Sequence, residues 1–539
     1  MTNQMSDQAV VRANELNTTR EAYNQLPYQS FPYPKSSPAY LRTIGTLFGM
    51  EAPPLETARV LELGCAAGGN IIPLAAQYPQ ATWVGVDLSD VQISAGREFI
   101  GHLGLNNIEL KACSITDIDS TIGPFDYIIA HGVFSWVPEF VREHIMMLCR
   151  DLLTPSGIAY ISYNTLPGWN TRRIIRDLAL YHGKHFEQTG EKIQETKELL
   201  SFISDALAGS DDSYAKLIME SVSFLKDKQD YYIAHDFLEA NNTPFYFSEF
   251  ISMAERYDLK YLAEASIPSM YLGNYSDAIN ATLSQISDIN KTEQYLDFIT
   301  NRNFRSTLLC HRSQDDIVDR TLRKESLQGC YVKMSIVAGT QREGVDLSDD
   351  SSLLDFDLGA DRAFTLSTAS PVLKALFYTF SEWGNTYVFY DDLVRFLANQ
   401  LKDLSEQVIR EEVDATLINL FLTGRLDIRR DGVPITHRIP DKPKVWLYAA
   451  AQCRYLDISF VTNMYHEPVP ISMLEKFLIT LLDGGRSEDE IVKILLEQVK
   501  SKKIDLGVDL THSEERTLHT LRLAYLDSIE KFTASALLV

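Results

Sequence analysis

The chain has 539 residues, enough for about three or four domains of ordinary size. Its composition, 45% hydrophobic and 23% charged, is that of a globular protein, and Lys+Arg 50 against Asp+Glu 73 leave a net charge of -23. Such an acidic balance argues against phosphate-backbone binding as the main activity, which needs a positive footprint; it suits a basic or lysine-bearing partner, and solubility alone would also explain it.

Residues 1–38 read as a polar N-terminal arm, helical near 10–22, followed by a proline-broken aromatic segment from Tyr23 through Tyr28 to Pro38. That segment is either a lid over a ligand cleft or a surface strap. There is no apolar leader, and no apolar run reaches the roughly 18 residues a membrane span needs, so a cytoplasmic protein with no membrane partner is expected. The six cysteines are scattered without a C-x-x-C pair, which fits reduced thiols, and the lone H-x-x-H at His182 and His185 lacks a supporting acid for a metal.

Residues 39–170 carry the strongest signal. A helix over 39–49 precedes an apolar run, Val60-Leu-Glu-Leu, that ends in the turn Gly64-Cys-Ala-Ala-Gly68-Gly-Asn70 and a helix over 71–77. This is a buried parallel strand feeding a nucleotide-binding turn. The glycines lack the G-x-G-x-x-G spacing of a dinucleotide site, with Ala66 in the middle position. Glu62 would repel a phosphate but welcome an ammonium or sulfonium. The next strand ends at Asp87, 19 residues past Gly68, where a carboxylate can take both ribose hydroxyls. An ordinary α/β turn with an incidental acid is the plain alternative.

Strand and helix then alternate: helix 91–103, strand 108–112, strand 125–130, helix 141–153 and strand 157–163. The pattern predicts a doubly wound, Rossmann-like α/β core. Residues 171–243 are read as a helical insertion with helices over 171–182, 191–207 and 213–226, the last capped by Ser213. The core resumes in 244–312 with a helix over 247–257 and strands over 259–265 and 304–310, completing seven strands and pairing antiparallel at one edge. Residues 313–369 read as a linker or small β region, and 370–439 as a winged-helix-like module of three helices and a hairpin over 426–438. Residues 440–539 form a mostly helical C-terminal domain with a charged amphipathic stretch over 487–503.

The strand-turn-strand pair, Val60–Asn70 with Val86-Asp87-Leu-Ser89, resembles class I S-adenosylmethionine (AdoMet) methyltransferases, whose first motif is E/D-x-G-x-G-x-G. The resemblance implies AdoMet as cofactor, with Glu62, Gly64, Ala66, Gly68, Asn70, Asp87, Leu88, Ser114 and Ile115 around it, Tyr28 over it, and His131 nearby. A more specific resemblance extends over most of residues 23–485. Tyr23, Leu26-Pro-Tyr28, Ala130-His-Gly-Val-Phe-Ser-Trp-Val-Pro138, His235-Asp-Phe-Leu-Glu239, Phe304–His311 and Thr462-Asn-Met-Tyr-His466-Glu-Pro-Val469 look like bacterial methyltransferases with a regulatory domain. These include the rickettsial lysine methyltransferases of outer-membrane protein. That implies a lysine-directed protein methyltransferase, a homodimer through its helical insertion, with no nucleic acid partner.

Four residues are candidates for the acceptor side. His131 is a proton acceptor or a hydrogen-bonded cleft residue; Trp136 and Trp169 line a pocket or belong to the core; Tyr163 faces the same cleft. A methyltransferase of small molecules and a catalytically silent AdoMet-binding scaffold are the other functions compatible with the chain.

Overall fold

The computed structural model describes residues 2–239, 241–359, 364–436, 438–501 and 514–539. Seven strands build the central sheet: β1 (Arg59–Leu63), β2 (Thr82–Asp87), β3 (Ile108–Ala112), β4 (Phe125–Ala130), β5 (Leu153–Asn164), β6 (Leu259–Glu264) and β7 (Phe304–His311). Their order is β3-β2-β1-β4-β5-β7-β6. The pairs from β3 to β5 are parallel, whereas β7 runs antiparallel to both β5 and β6. The predicted seven-stranded core and its antiparallel edge are both present. Buried apolar side chains cover both faces of this sheet, as parallel strands require. Chain order reverses between β1 and β4, so a crevice opens at their C-terminal ends.

Between β5 and β6 the chain leaves the sheet through helices Trp169–Gly183, Thr189–Ala206 and Ser213–Lys226. The last helix is capped by Asp212, whose carboxylate accepts from the Tyr214 and Ala215 amides, and not by the expected Ser213. Asp212 fits because its extended backbone leaves the side chain free to reach those donors. The excursion ends in a π-helical turn, Ala234–Leu238, and rejoins the sheet where Phe245 N donates to Asn164 O at 3.0 Å.

A buried ionic cluster fastens the late strands. The Arg305 guanidinium, on β7, bonds Glu264 Oε1 at 2.6 Å, Glu293 Oε2 at 3.0 Å and Asp297 Oδ1 at 2.8 Å. Arg302 adds a second cation beside Glu293 and Asp297. Ionic groups without water need such mutual pairing, and Glu293 Oε1 is the one oxygen of these three acids left without a hydrogen bond among the described residues.

Two three-stranded sheets follow, built from β8 (Tyr331–Lys333), β9 (Ile336–Ala338), β10 (Leu354–Leu358), β11 (Phe364–Thr368), β12 (Val388–Phe389) and β13 (Asp427–Arg429). The hairpin expected over 426–438 is not formed by the described residues: β13 pairs with β8 instead, and residues 433–436 are not in a strand. Residue 437 of that hairpin, and residues 502–503 of the expected amphipathic stretch, lie outside the described residues. The C-terminal region carries helices Leu447–Tyr455, Met473–Ile479, Glu488–Lys500 and Glu514–Ala534 around a two-stranded ribbon, β14 (Phe460–Thr462) and β15 (Pro468–Pro470). Among the described residues, no helix is long and apolar enough to cross a membrane.

Candidate active site

A cavity of about 490 Å³ lies at the C-terminal ends of β1, β2 and β4. The turn after β1 shapes one wall. Gly64 has φ +75, and a Cβ there would stand 2.3 Å from Val133 Cγ2. Ala66 occupies the left-handed region at φ 50, so the loop keeps a glycine-type conformation without the glycine. Its amide is held by Asp87 Oδ2 at 2.9 Å, and Asp87 Oδ1 accepts from Ser89 N at 2.8 Å. Burial raises the Asp87 carboxyl above its usual range, against these hydrogen bonds.

Glu62 is buried beneath the turn. Its Oε1 accepts from Asn70 Nδ2 at 2.7 Å, whereas Oε2 has no partner among the described residues. Burial pushes this carboxyl up to about 8, the Asn70 bond opposing and Asp87 adding to the rise. A buried acid with one unpaired oxygen is completed by a ligand carrying a cationic nitrogen.

The segment after residue 23 covers the cleft. Tyr23 stacks on His235, with ring centroids 4.3 Å apart, and His235 Nε2 lies 2.7 Å from Leu26 O. Tyr28 meets Tyr231 edge-on at 5.0 Å, Ser30 Oγ accepts from Gly69 N at 2.7 Å, and the Tyr33 ring lies 3.8 Å from that of His131. Tyr23, Tyr28 and Tyr33 thereby become walls of the cavity.

Of the residues predicted to hold a ligand, Tyr28, Glu62, Gly64, Ala66, Asn70, Asp87, Leu88, Ser114, Ile115 and His131 all line the cavity. Gly68 does not. Its φ of +81 and its carbonyl, which accepts from the Ile71 and Ile72 amides, make it the hinge into the helix. On the acceptor side Trp136 and Trp169 line the cavity edge-to-face at 6.1 Å. Tyr163 is a correction. It is 1% exposed, stacks on Phe250 at 4.0 Å and bonds Thr307 on the opposite face of the sheet. The pleat decides this: Tyr160, Ser162 and Asn164 point one way and Tyr163 the other.

His131 Nδ1 lies 2.9 Å from Tyr160 Oη and 3.3 Å from Ser162 Oγ. Burial lowers its pKa to about 4, so it is neutral at pH 7 and a weak base. Sequence reading missed Arg172, Phe224, Tyr232 and Asp236 as lining groups. His235-Asp236 stood inside a family motif but without a role. Asp236 has its carboxyl raised to about 6 by burial, with the Tyr232 hydroxyl and Arg172 acting in the other direction. Glu62, Asp87 and Asp236 therefore face the cavity with Arg172 as the only Lys or Arg among the described lining residues.

Three family models match the chain: "Methyltransferase domain" over residues 60–157, "Predicted methyltransferase regulatory domain" over 229–311, and "PKMT, C-terminal winged helix domain" over 441–537. RP789 of Rickettsia prowazekii is 39% identical over 539 residues, covering 99% of this chain and 96% of that one. PKMT2 from Rickettsia typhi, solved in complex with AdoHcy, superposes with a TM-score of 0.88 at 34% identity, covering 95% of this chain and 100% of that one. With its seven-stranded mixed sheet, glycine turn and paired acids, the chain is an AdoMet-dependent methyltransferase. More narrowly, it belongs to the PKMT family, whose winged-helix model falls on the region expected to be mostly helical. The β14–β15 ribbon is the part of that domain the sequence did not reveal.

Proposed function

We propose that the enzyme methylates lysine side chains of a protein substrate. The observation that carries this reading is the lining of the cavity: three acidic side chains, Glu62, Asp87 and Asp236, against one guanidinium, with Tyr28, Trp136, Trp169, Phe224 and Tyr232 as aromatic walls. A cationic side chain is drawn into such a space, and an anionic acceptor is repelled.

AdoMet supplies a methyl group activated by its sulfonium. Glu62 Oε2 is suited to its ammonium and Asp87 to its ribose hydroxyls, with the backbone of 64–66 and Leu88, Ser114 and Ile115 enclosing the rest. The acceptor needs a free lone pair, and freeing that of a lysine at pH 7 costs about 4–5 kcal/mol from its reference pKa. Aromatic walls lower the cost by stripping water from the ammonium. Asp236 gives the incoming cation a partner. His131, with a pKa of about 4, is better suited to orienting groups than to taking the proton.

We further assign a cytoplasmic homodimer that joins through residues 171–243. Its helices leave Tyr181 68%, Phe202 66% and Tyr214 57% exposed, large side chains that a second copy would cover. An extended surface or outer-membrane protein is the substrate class we favour.

Labelled AdoMet and a panel of unfolded lysine-rich proteins test the reading. Methyl-lysine found by mass spectrometry is the expected result. Label confined to small molecules or RNA would overturn it.

A further inference from the structure

The C-terminal domain reaches the cofactor turn through a hydrogen bond from His466 to Asn70. The five-residue turn between β14 and β15 is held by Asn463, whose Oδ1 accepts from the Tyr465 amide at 2.9 Å and the Glu467 amide at 2.8 Å. It presents His466 in the left-handed region at φ 65, which histidine enters more readily than most residues other than glycine. The residue is 3% exposed, and Nε2 lies 2.8 Å from Asn70 Oδ1, across 396 residues of sequence. His466 does not itself line the cavity.

Asn70 is a junction. Its Oδ1 also accepts from Tyr33 N at 2.8 Å, and its Nδ2 donates to Glu62 Oε1 at 2.7 Å and Ser36 Oγ at 3.0 Å. The Tyr33 amide can only donate, so the carboxamide oxygen must face the covering segment and the nitrogen must face Glu62. His466 therefore donates from Nε2, which makes it the neutral Nε2–H tautomer. Its Nδ1 has no partner among the described residues, as a buried, unprotonated ring nitrogen would show. Burial, with Arg429 nearby, lowers the imidazole pKa to about 3, so this state holds across the physiological range. Phe31 on the covering segment also stacks on Phe460 of β14 at 4.9 Å. The C-terminal domain thus grips the covering segment and the residue that orients the acid at the same time.

We infer that His466 is a positioning residue for cofactor binding, fixing the Asn70 amide so that Glu62 turns its free oxygen into the cavity while residues 30–36 stay closed. The C-terminal domain is then part of the cofactor site and not an appendage for substrate alone. The inference rests on Glu62 meeting the cofactor's ammonium, not on the nature of the methyl acceptor.

The test uses the full chain and AdoHcy as probe, measured by calorimetry, so a wrong acceptor assignment cannot affect it. His466→Phe keeps a ring of similar size but removes the donor, and AdoHcy affinity should fall about tenfold, the typical effect of one lost buried hydrogen bond. His466→Gln places a side-chain NH₂ near the position of Nε2 and should recover most of that loss; His466→Asn, one bond shorter, should not. In an Asn70→Ala background, His466→Phe should have no further effect on affinity. Unchanged AdoHcy binding in His466→Phe, or equal and additive losses with and without Asn70, would reduce His466 to a packing residue and overturn the inference. Should the phenylalanine variant fail to fold, a folded His466→Gln protein that binds as weakly as His466→Asn would overturn it equally.

Discussion

Asp87 Oδ2 accepts the Ala66 amide at 2.9 Å, so the acid at the end of β2 fastens the turn after β1. A carboxylate expected to serve the ligand alone is also part of the loop's structure. Asp87→Ala should therefore weaken AdoHcy binding about 100-fold and also lower the unfolding temperature, because a hydrogen bond to a charged acceptor contributes about 1.5–3 kcal/mol. Calorimetry and thermal unfolding of the same variant check both parts. Weaker binding at an unchanged unfolding temperature would remove the structural half.

Ala66 carries the complementary prediction. A left-handed alanine is strained by about 1–2 kcal/mol, and glycine loses about 0.5–1 kcal/mol more entropy on folding. Ala66→Gly should stabilise the protein by about 0.5–1 kcal/mol and leave AdoHcy affinity within about threefold. A clear loss of stability in chemical unfolding would mean that the methyl group packs usefully where the backbone alone predicts strain.

The Glu62 carboxyl sits near 8 in the free protein, so below that pH it is mostly protonated. A ligand ammonium needs the ionised form, and the acid must then release a proton on binding. Affinity should fall as pH drops below 8, approaching tenfold per unit, and should decline again above 8 as the ligand's own α-amino group, with a reference pKa of about 7.7–8.0, loses its charge. Titrating AdoHcy from pH 6 to 9 gives the profile. Glu62→Gln should bind weakly and lose the acidic limb.

How much of this was legible follows from how local each feature is. The turn from Val60 to Asn70 and the acid at Asp87 were readable because strand, glycine and carboxylate lie within one βαβ unit. Tyr163 was misplaced for want of one parity: Ser162 and Asn164 face His131 and the cavity, so the residue between them faces the other side of the sheet. The antiparallel edge was readable by counting strands, but the partner of β13 was not, since β8 lies almost a hundred residues earlier. The bond from His466 to Asn70 has no sequence signature at all. It exists only once the C-terminal ribbon is seated on the core.

Arg305 predicts the stability of the antiparallel edge. Replacing it with methionine leaves Glu293 and Asp297 buried with Arg302 as their remaining cation, and takes from Glu264 its ion-pair partner. Breaking a buried ionic group in this way destabilises by about 3–5 kcal/mol. The deficit should shrink as pH falls, because the abandoned acids can then be protonated; burial already raises Glu293 and Asp297 in the intact cluster. Denaturant unfolding at pH 7.5 and 5.5 measures both effects. An Arg305→Met midpoint equal to the parent at pH 7.5 would contradict the prediction.

Asp236 separates acceptor binding from cofactor binding. It lines the cavity on the π-helical turn, a different element from the turn after β1 and the end of β2 that are suited to AdoMet. Asp236→Asn should raise KM for a lysine-bearing protein about tenfold while AdoHcy affinity changes less than about twofold, since a single desolvated charge pair contributes on this scale. The pH dependence has a definite sign. With its carboxyl near 6, Asp236 is ionised above that pH and neutral below it, so acceptor KM in the parent should rise as pH falls through 6. The asparagine variant should lack that step yet keep the increase of kcat/KM towards alkaline pH that comes from the lysine itself. Steady-state kinetics from pH 5 to 9 on both proteins distinguish the two limbs. An Asp236→Asn enzyme with unaltered KM at every pH would show that the acceptor's charge is met elsewhere in the cavity.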